Sequence, residues 1–296
     1  MKNKFLFSLL MILILLIAGF PAYFFLSKGD IGNVNSSRKN IAVTIFPIYD
    51  ITKNIAGEKL DVNLILPVGI SEHTYDPKPS DVALLENVVI VIKVGSGLDD
   101  WVEKIVPKKV TRVDLTSSVN LLKSTEVEYD PHYWLSVDNA LLIANKVKNE
   151  LVKIDPENSE YYENNLLKYK EELLGLQKYI DLELIDQKGK GIITFHEAFI
   201  YFANANGLEI LATIEPFAGK EPTPTYLSEV EDIIRVQKVK VLFKEPQLSS
   251  GLLNGLASDL GVTILTIDPL GGGKETDSYI KMMKFNTNEI KKGLEL

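Results

Sequence analysis

The 296-residue chain has no cysteine, and that absence removes disulfides, thiolate zinc sites, iron–sulfur clusters and cysteine nucleophiles at once. Histidine is nearly as scarce: the chain has 3, at positions 73, 132 and 196. A transition metal bound here must be held by nitrogen and oxygen. Positive charge is also in deficit, with 32 Lys+Arg against 40 Asp+Glu and a formal charge of -8. That balance carries no electrostatic footprint for nucleic acid and is easier to reconcile with a cationic ligand. A hydrophobic fraction of 46% and a charged fraction of 24% are those of a globular chain, long enough for two lobes.

The one long apolar run, Phe5 to Leu26, carries no charge and follows Lys2 and Lys4, as in a signal peptide or an N-terminal anchor occupying residues 1–28. As a helix it would span roughly 33 Å, against a hydrocarbon core of about 30 Å, and it exceeds the apolar region of most cleaved signals. These lengths favour a retained anchor. Without cysteine, an N-terminal lipid cannot replace it. Residues 29–40, rich in Gly, Ser and Asn, read as a flexible tether to a body outside the cytoplasmic membrane, in the periplasm or at the cell surface.

From Ile41 the chain alternates short apolar runs with amphipathic stretches: IAVTIFP, DVNLILP, VVIVIKV and VTRVDL, each separated by a helical segment. Runs apolar on both faces, such as Val88 to Val94, belong to strands covered on both sides, so the pattern predicts βαβ units around a parallel sheet over 41–156. A second set, GIITF, LEILATI, KVKVLF and VTILTI, predicts another α/β lobe over 188–296. Between them, Asp155-Pro156 supplies a helix N-cap and a first-turn proline. Leu166, Tyr169, Leu173, Leu176, Ile180 and Leu184 then recur at spacings of three and four. One long linking helix over 157–187 is expected, with a break near Gly175 as the alternative.

Each histidine falls where a strand feeds a loop or helix. His73 follows DVNLILP, His132 lies in the polar loop before a helix starting near Ser136, and His196 directly follows GIITF; Asp268 ends VTILTI. Ligands of open α/β sheets collect outside the carboxyl ends of the strands, so these four residues are placed to face one cleft between the lobes. Three neutral imidazoles and a carboxylate make a four-coordinate shell suited to zinc and acceptable to manganese or iron. A helix N-terminus at His196 would bias its ring towards the neutral, ligating form. Glu245, which ends the KVKVLF strand, is the runner-up fourth ligand or an acceptor for an imidazole N–H, the second role being preferred. Glu72 and Glu197 read as solvated charges, and Gly271-Gly272-Gly273 as a loop rather than a phosphate cradle.

Seven segments, EHTYDPKPSD, DPHYWLS, DPENSEYYENN, FHEAFIYFA, KEPTPTYL, FKEPQLS and TILTIDPLGG, occur in an order that resembles the zinc- and manganese-type solute-binding proteins of ABC transporters, the ZnuA- or TroA-like group. The resemblance covers about residues 40 to 293. It implies two α/β lobes joined by one long helix, with metal ligands at His73, His132, His196 and Asp268. Histidine at the third ligand position resembles the zinc-binding branch, whereas manganese-specific members more commonly carry glutamate there. The His- and Asp-rich loop of many zinc members has no counterpart in Ser117 to Tyr129, and Val137 stands where a proline often follows the second motif. The implied protein is a monomeric receptor that captures Zn2+, or alternatively Mn2+ or iron(II), and delivers it to a membrane permease without catalysing a reaction. A metallohydrolase using a zinc-bound water is the contrasting function, and an adhesion module on the same fold a third.

Overall fold

A computed structural model describes residues 38–124, 128–216, 219–248 and 251–296. The apolar segment 5–26 and most of the expected tether lie outside them. Among the described residues no helix is long and apolar enough to cross a membrane.

The first lobe runs β1 (Lys39–Val43), α1 (Phe46–Ala56), β2 (Leu60–Leu64), α2 (Pro79–Leu84), β3 (Val88–Lys93), β4 (Thr111–Asp114) and α3 (Val137–Ile154). Its four strands are all parallel in the order β2-β1-β3-β4. The second lobe repeats the scheme with β5 (Gly191–Thr194), α5 (Ile200–Asn206), β6 (Glu209–Thr213), α6 (Pro224–Gln237), β7 (Val241–Lys244), α7 (Gly251–Leu260), β8 (Thr263–Thr266) and α8 (Tyr279–Leu294). Here the order is β6-β5-β7-β8, again all parallel. In both sheets the order reverses beside the first strand, and that reversal is where a doubly wound sheet opens its ligand crevice.

Between the lobes lies α4 (Ser159–Glu183), 25 residues and about 38 Å long, entered through a 3-10 turn at Pro156–Asn158 and left through another at Ile185–Gln187. Tyr162, Leu166, Tyr169, Leu173, Leu176 and Ile180 form its buried face, at alternating steps of four and three. Gly175 does not interrupt it: the residue lies outside that stripe and no neighbouring atom crowds the position of a side chain there. The helix is also tied to the first lobe at Gly57, where the chain turns with φ 53° and Tyr161 occupies the space a side chain would need.

One apolar core runs from the first sheet across α3 and α4 to Phe199, Phe202, Tyr279, Met282, Met283 and Ile290 of the second lobe. A smaller core, including Ile193, Phe195, Val230, Ile234, Leu242 and Leu253, lies within the second lobe. The seam between lobes is also hydrogen-bonded. Trp134 Nε1 donates to Pro269 O at 2.7 Å, and Tyr279 Oη donates to Trp134 O at 2.7 Å. Both aromatic side chains are fully buried, so these bonds satisfy polar atoms that burial would otherwise leave costly.

Candidate metal centre

The three histidines converge through the same ring atom. His132 Nε2 lies 3.1 Å from His73 Nε2 and 3.3 Å from His196 Nε2. Four donors about 2.1 Å from a zinc ion at tetrahedral angles stand roughly 3.4 Å apart, so the spacing is that of a ligand set. His73 comes from the loop between β2 and α2, and His132 opens the 3-10 turn Tyr133–Leu135 ahead of α3. His196 stands two residues past the end of β5.

Glu72 completes the cluster, correcting its reading as a solvated charge. It is buried, and its Oε1 lies 3.8 Å from both His73 Nε2 and His132 Nε2. One ligand atom from each of Glu72, His73, His132 and His196 falls within 4.8 Å of the others. Glu72 Oε1 has no hydrogen-bond partner among the described residues. A buried carboxylate oxygen without a donor is expensive unless a cation satisfies it, and its chemistry fits a divalent ion bound among the rings. Glu197 is half-buried and accepts a hydrogen bond from Ser124 Oγ at 2.9 Å, so it too is more than a solvated charge.

Two carboxylates hold rings from behind. Glu245, at the end of β7, approaches His196 Nδ1 to 2.8 Å and also accepts from the His196 backbone N–H at 3.3 Å. It therefore stands behind the His196 ring as the acceptor of an imidazole N–H. Asp130 does the same for His132, accepting from its backbone N–H at 2.8 Å with Nδ1 3.2 Å away. Such contacts fix each ring's tautomer and turn Nε2 inwards. Asp130 is a residue that the sequence reading does not single out, although an acid two residues before a loop histidine is a readable signal for this turn.

Asp268 lies outside the group of four whose ligand atoms fall within 4.8 Å of one another. Its Oδ1 accepts from Gln247 Nε2 at 2.7 Å, Gly271 N at 2.8 Å and Leu270 N at 3.1 Å, and its Oδ2 from Thr276 Oγ1 at 3.0 Å. Its backbone is fixed as well: Asp268 N donates to Asn286 Oδ1 at 2.7 Å, and Asn286 Nδ2 donates to Asp268 O at 2.8 Å. The glycines after it close the turn with φ 71° at Gly271 and 85° at Gly272, values a side chain disfavours.

Burial, then the neighbouring rings, drives His73 down to about 2, and burial together with His196 holds His132 well below its ordinary value. Both rings are neutral and ready to ligate. His196 departs from the neutral form expected of it. Burial opposes its charge, but the carboxylates of Glu245, Glu72 and Asp130 together outweigh burial and raise it to about 9. The helix dipole invoked for neutrality is also weak, because a three-residue 3-10 turn follows His196 and α5 begins only at Ile200. Burial raises Glu72 and Asp130 to about 7 each. The resting site thus holds a proton on His196 that an arriving cation must displace.

A largely buried cluster of imidazole nitrogens and a carboxylate, set between two parallel-sheet lobes on one long helix, is the architecture of the ZnuA- and TroA-like metal-binding proteins. The chain belongs to the family described as zinc-uptake complex component A, periplasmic, whose model matches residues 41–293. It is 31% identical over 280 residues to the metal ABC transporter substrate-binding lipoprotein of Lactococcus lactis subsp. lactis, covering 88% of this chain and 90% of that one. It is 31% identical over 287 residues to the manganese ABC transporter substrate-binding lipoprotein PsaA of Streptococcus mitis, covering 90% and 93%. Among solved structures it resembles the solute-binding protein FpvC of Pseudomonas aeruginosa in complex with Mn2+, with a TM-score of 0.79 and 28% identity over 87% of this chain and 98% of that one.

Proposed function

We propose that the protein is the receptor of a metal-ion ABC transporter, capturing Zn2+ outside the cytoplasmic membrane and passing it to a permease in that membrane. The observation that carries this reading is the approach of three imidazole Nε2 atoms to 3.1 and 3.3 Å beside an unpartnered buried carboxylate oxygen. His73, His132 and His196 hold the ion through Nε2, and Asp268 is the fourth ligand. Glu72, buried beside His73 and His132, is the other carboxylate that can fill the fourth corner. Filling that corner from the protein leaves no open position for a substrate or an activated water, which favours a carrier over a metallohydrolase.

Three nitrogens and one oxygen favour zinc; relatives named for manganese support Mn2+ as the second reading. For placement, the relatives named lipoproteins offer a contrast, since this chain has no cysteine to carry a lipid. The apolar segment 5–26 serves instead, as a retained anchor. The test is metal analysis of the full chain, purified without an affinity tag and challenged with zinc and manganese together. Zinc is expected to dominate; manganese in excess over zinc would reverse the order of the two readings, and binding of neither would reject both.

A further inference from the structure

Oδ1 of Asp268 takes three donors, from Gln247 Nε2, Leu270 N and Gly271 N, whereas Oδ2 takes only the Thr276 hydroxyl. A carboxylate oxygen has two lone pairs in its plane, so Oδ1 is saturated and Oδ2 keeps one lone pair for another partner. Of the donors on Oδ1, only Gln247 is a side chain. Its amide is committed to this contact at a cost, because its own Oε1 is buried with no partner among the described residues. Leaving a buried acceptor unsatisfied is unfavourable, and the orientation persists because the charged carboxylate claims the N–H. Gln247 also lies two residues past Glu245, which holds His196 Nδ1 at 2.8 Å. A single turn after β7 therefore sets two residues of the proposed ligand group.

We propose that Gln247 is a specificity-determining residue: by occupying Oδ1 of Asp268 it leaves Oδ2 alone to face the ion and limits the aspartate to a single metal–oxygen bond. This inference rests on the reading of Asp268 as the fourth ligand. One oxygen added to three imidazole nitrogens gives the four-coordinate shell that zinc accepts without loss. Manganese, which prefers six largely oxygen ligands, is denied the second carboxylate oxygen it would otherwise take. Gln247 is a positioning residue on this account and does not itself touch the ion.

The test uses the full chain in detergent, with Gln247→Met, which keeps the length and removes the donor, and Gln247→Ala as a second variant should the first fold poorly. Zinc and manganese affinities are measured by competition, the metal's coordination number by X-ray absorption, and the metal-free melting temperature as a control. The expected result is a fall of about tenfold in preference for zinc over manganese, the lower end of outer-shell effects. A rise in the number of oxygen ligands should accompany it, with the metal-free melting temperature nearly unchanged. An unchanged zinc-to-manganese ratio in either folded variant, with Asp268→Ala still weakening zinc, would overturn the role of Gln247 while leaving the site reading intact. If Asp268→Ala leaves zinc affinity unaltered, the ligand assignment fails and this inference fails with it.

Discussion

The loop that carries His73 and the corner that carries His196 and Asp268 hold the proposed ligands by opposite means. His73 has no hydrogen-bonded partner on Nδ1 among the described residues, and its side chain is 25% exposed. His196 is 5% exposed and braced by Glu245, and Asp268 is held by four donors on its carboxylate and two bonds to its backbone. The corner is ordered by its own hydrogen bonds, and the His73 ring is held by fewer. Ligands fixed in advance give affinity because little freedom is lost on binding, and a ligand at the rim gives a path in and out.

That contrast breaks most visibly by deletion. His196→Ala is expected to lower zinc affinity by more than about a hundredfold, beyond the range for loss of an outer-shell partner. His73→Ala should cost clearly less, because its ring was not preordered. Calorimetry on the two variants decides, and equal losses would erase the distinction between loop and corner.

The pH response comes next in size. A proton on His196, whose pKa is raised to about 9, must leave before the ring can ligate, so apparent affinity should climb as pH rises towards that value. One displaced proton gives about tenfold per pH unit, or about a hundredfold between pH 6 and 8. The same shift bears on the metal-free protein. A folded-state value above the ordinary one near 6.5 gives stability that is fully present below about 6.5 and is lost as pH rises through about 9. Glu245→Gln removes the foremost of the carboxylate charges responsible and should move the affinity window down towards 6.5. Affinity independent of pH between 6 and 8 would show that His196 is already neutral.

The smallest expected effect lies away from both. Gly175 sits inside α4 with open space around its α-carbon and an ordinary helical φ, so Gly175→Ala should raise stability by about 0.5–1 kcal/mol, read as a small increase in melting temperature with zinc affinity unchanged. A lower melting temperature would mean that the helix uses the glycine.

Much of this was legible in the chain. Apolar runs such as VVIVIKV mark strands buried on both faces, and the three-and-four spacing from Leu166 to Ile180 marks α4, because burial imposes those periods directly. The convergence of the three histidines was legible too, since strand ends in a doubly wound sheet point to one crevice. Directions of individual side chains were not. Whether Glu72 turns inwards or out to solvent depends on the backbone path through a loop with no period, and both outcomes fit the same letters. The charge on His196 was misjudged for a similar reason: Glu245 lies 49 positions away in sequence, and only the pairing of β5 with β7 brings it to the ring. For Asp268 the strand end marks the position, and only the structure shows a carboxylate ordered by its own turn with a single donor on Oδ2.

Anomalous diffraction from crystals grown with zinc, recorded on either side of the zinc absorption edge, tests the account most directly. One strong peak is predicted about 2.1 Å from Nε2 of His73, His132 and His196, with a carboxylate oxygen of Asp268 at similar range. A peak elsewhere, or one touching fewer than three of these rings, would contradict it.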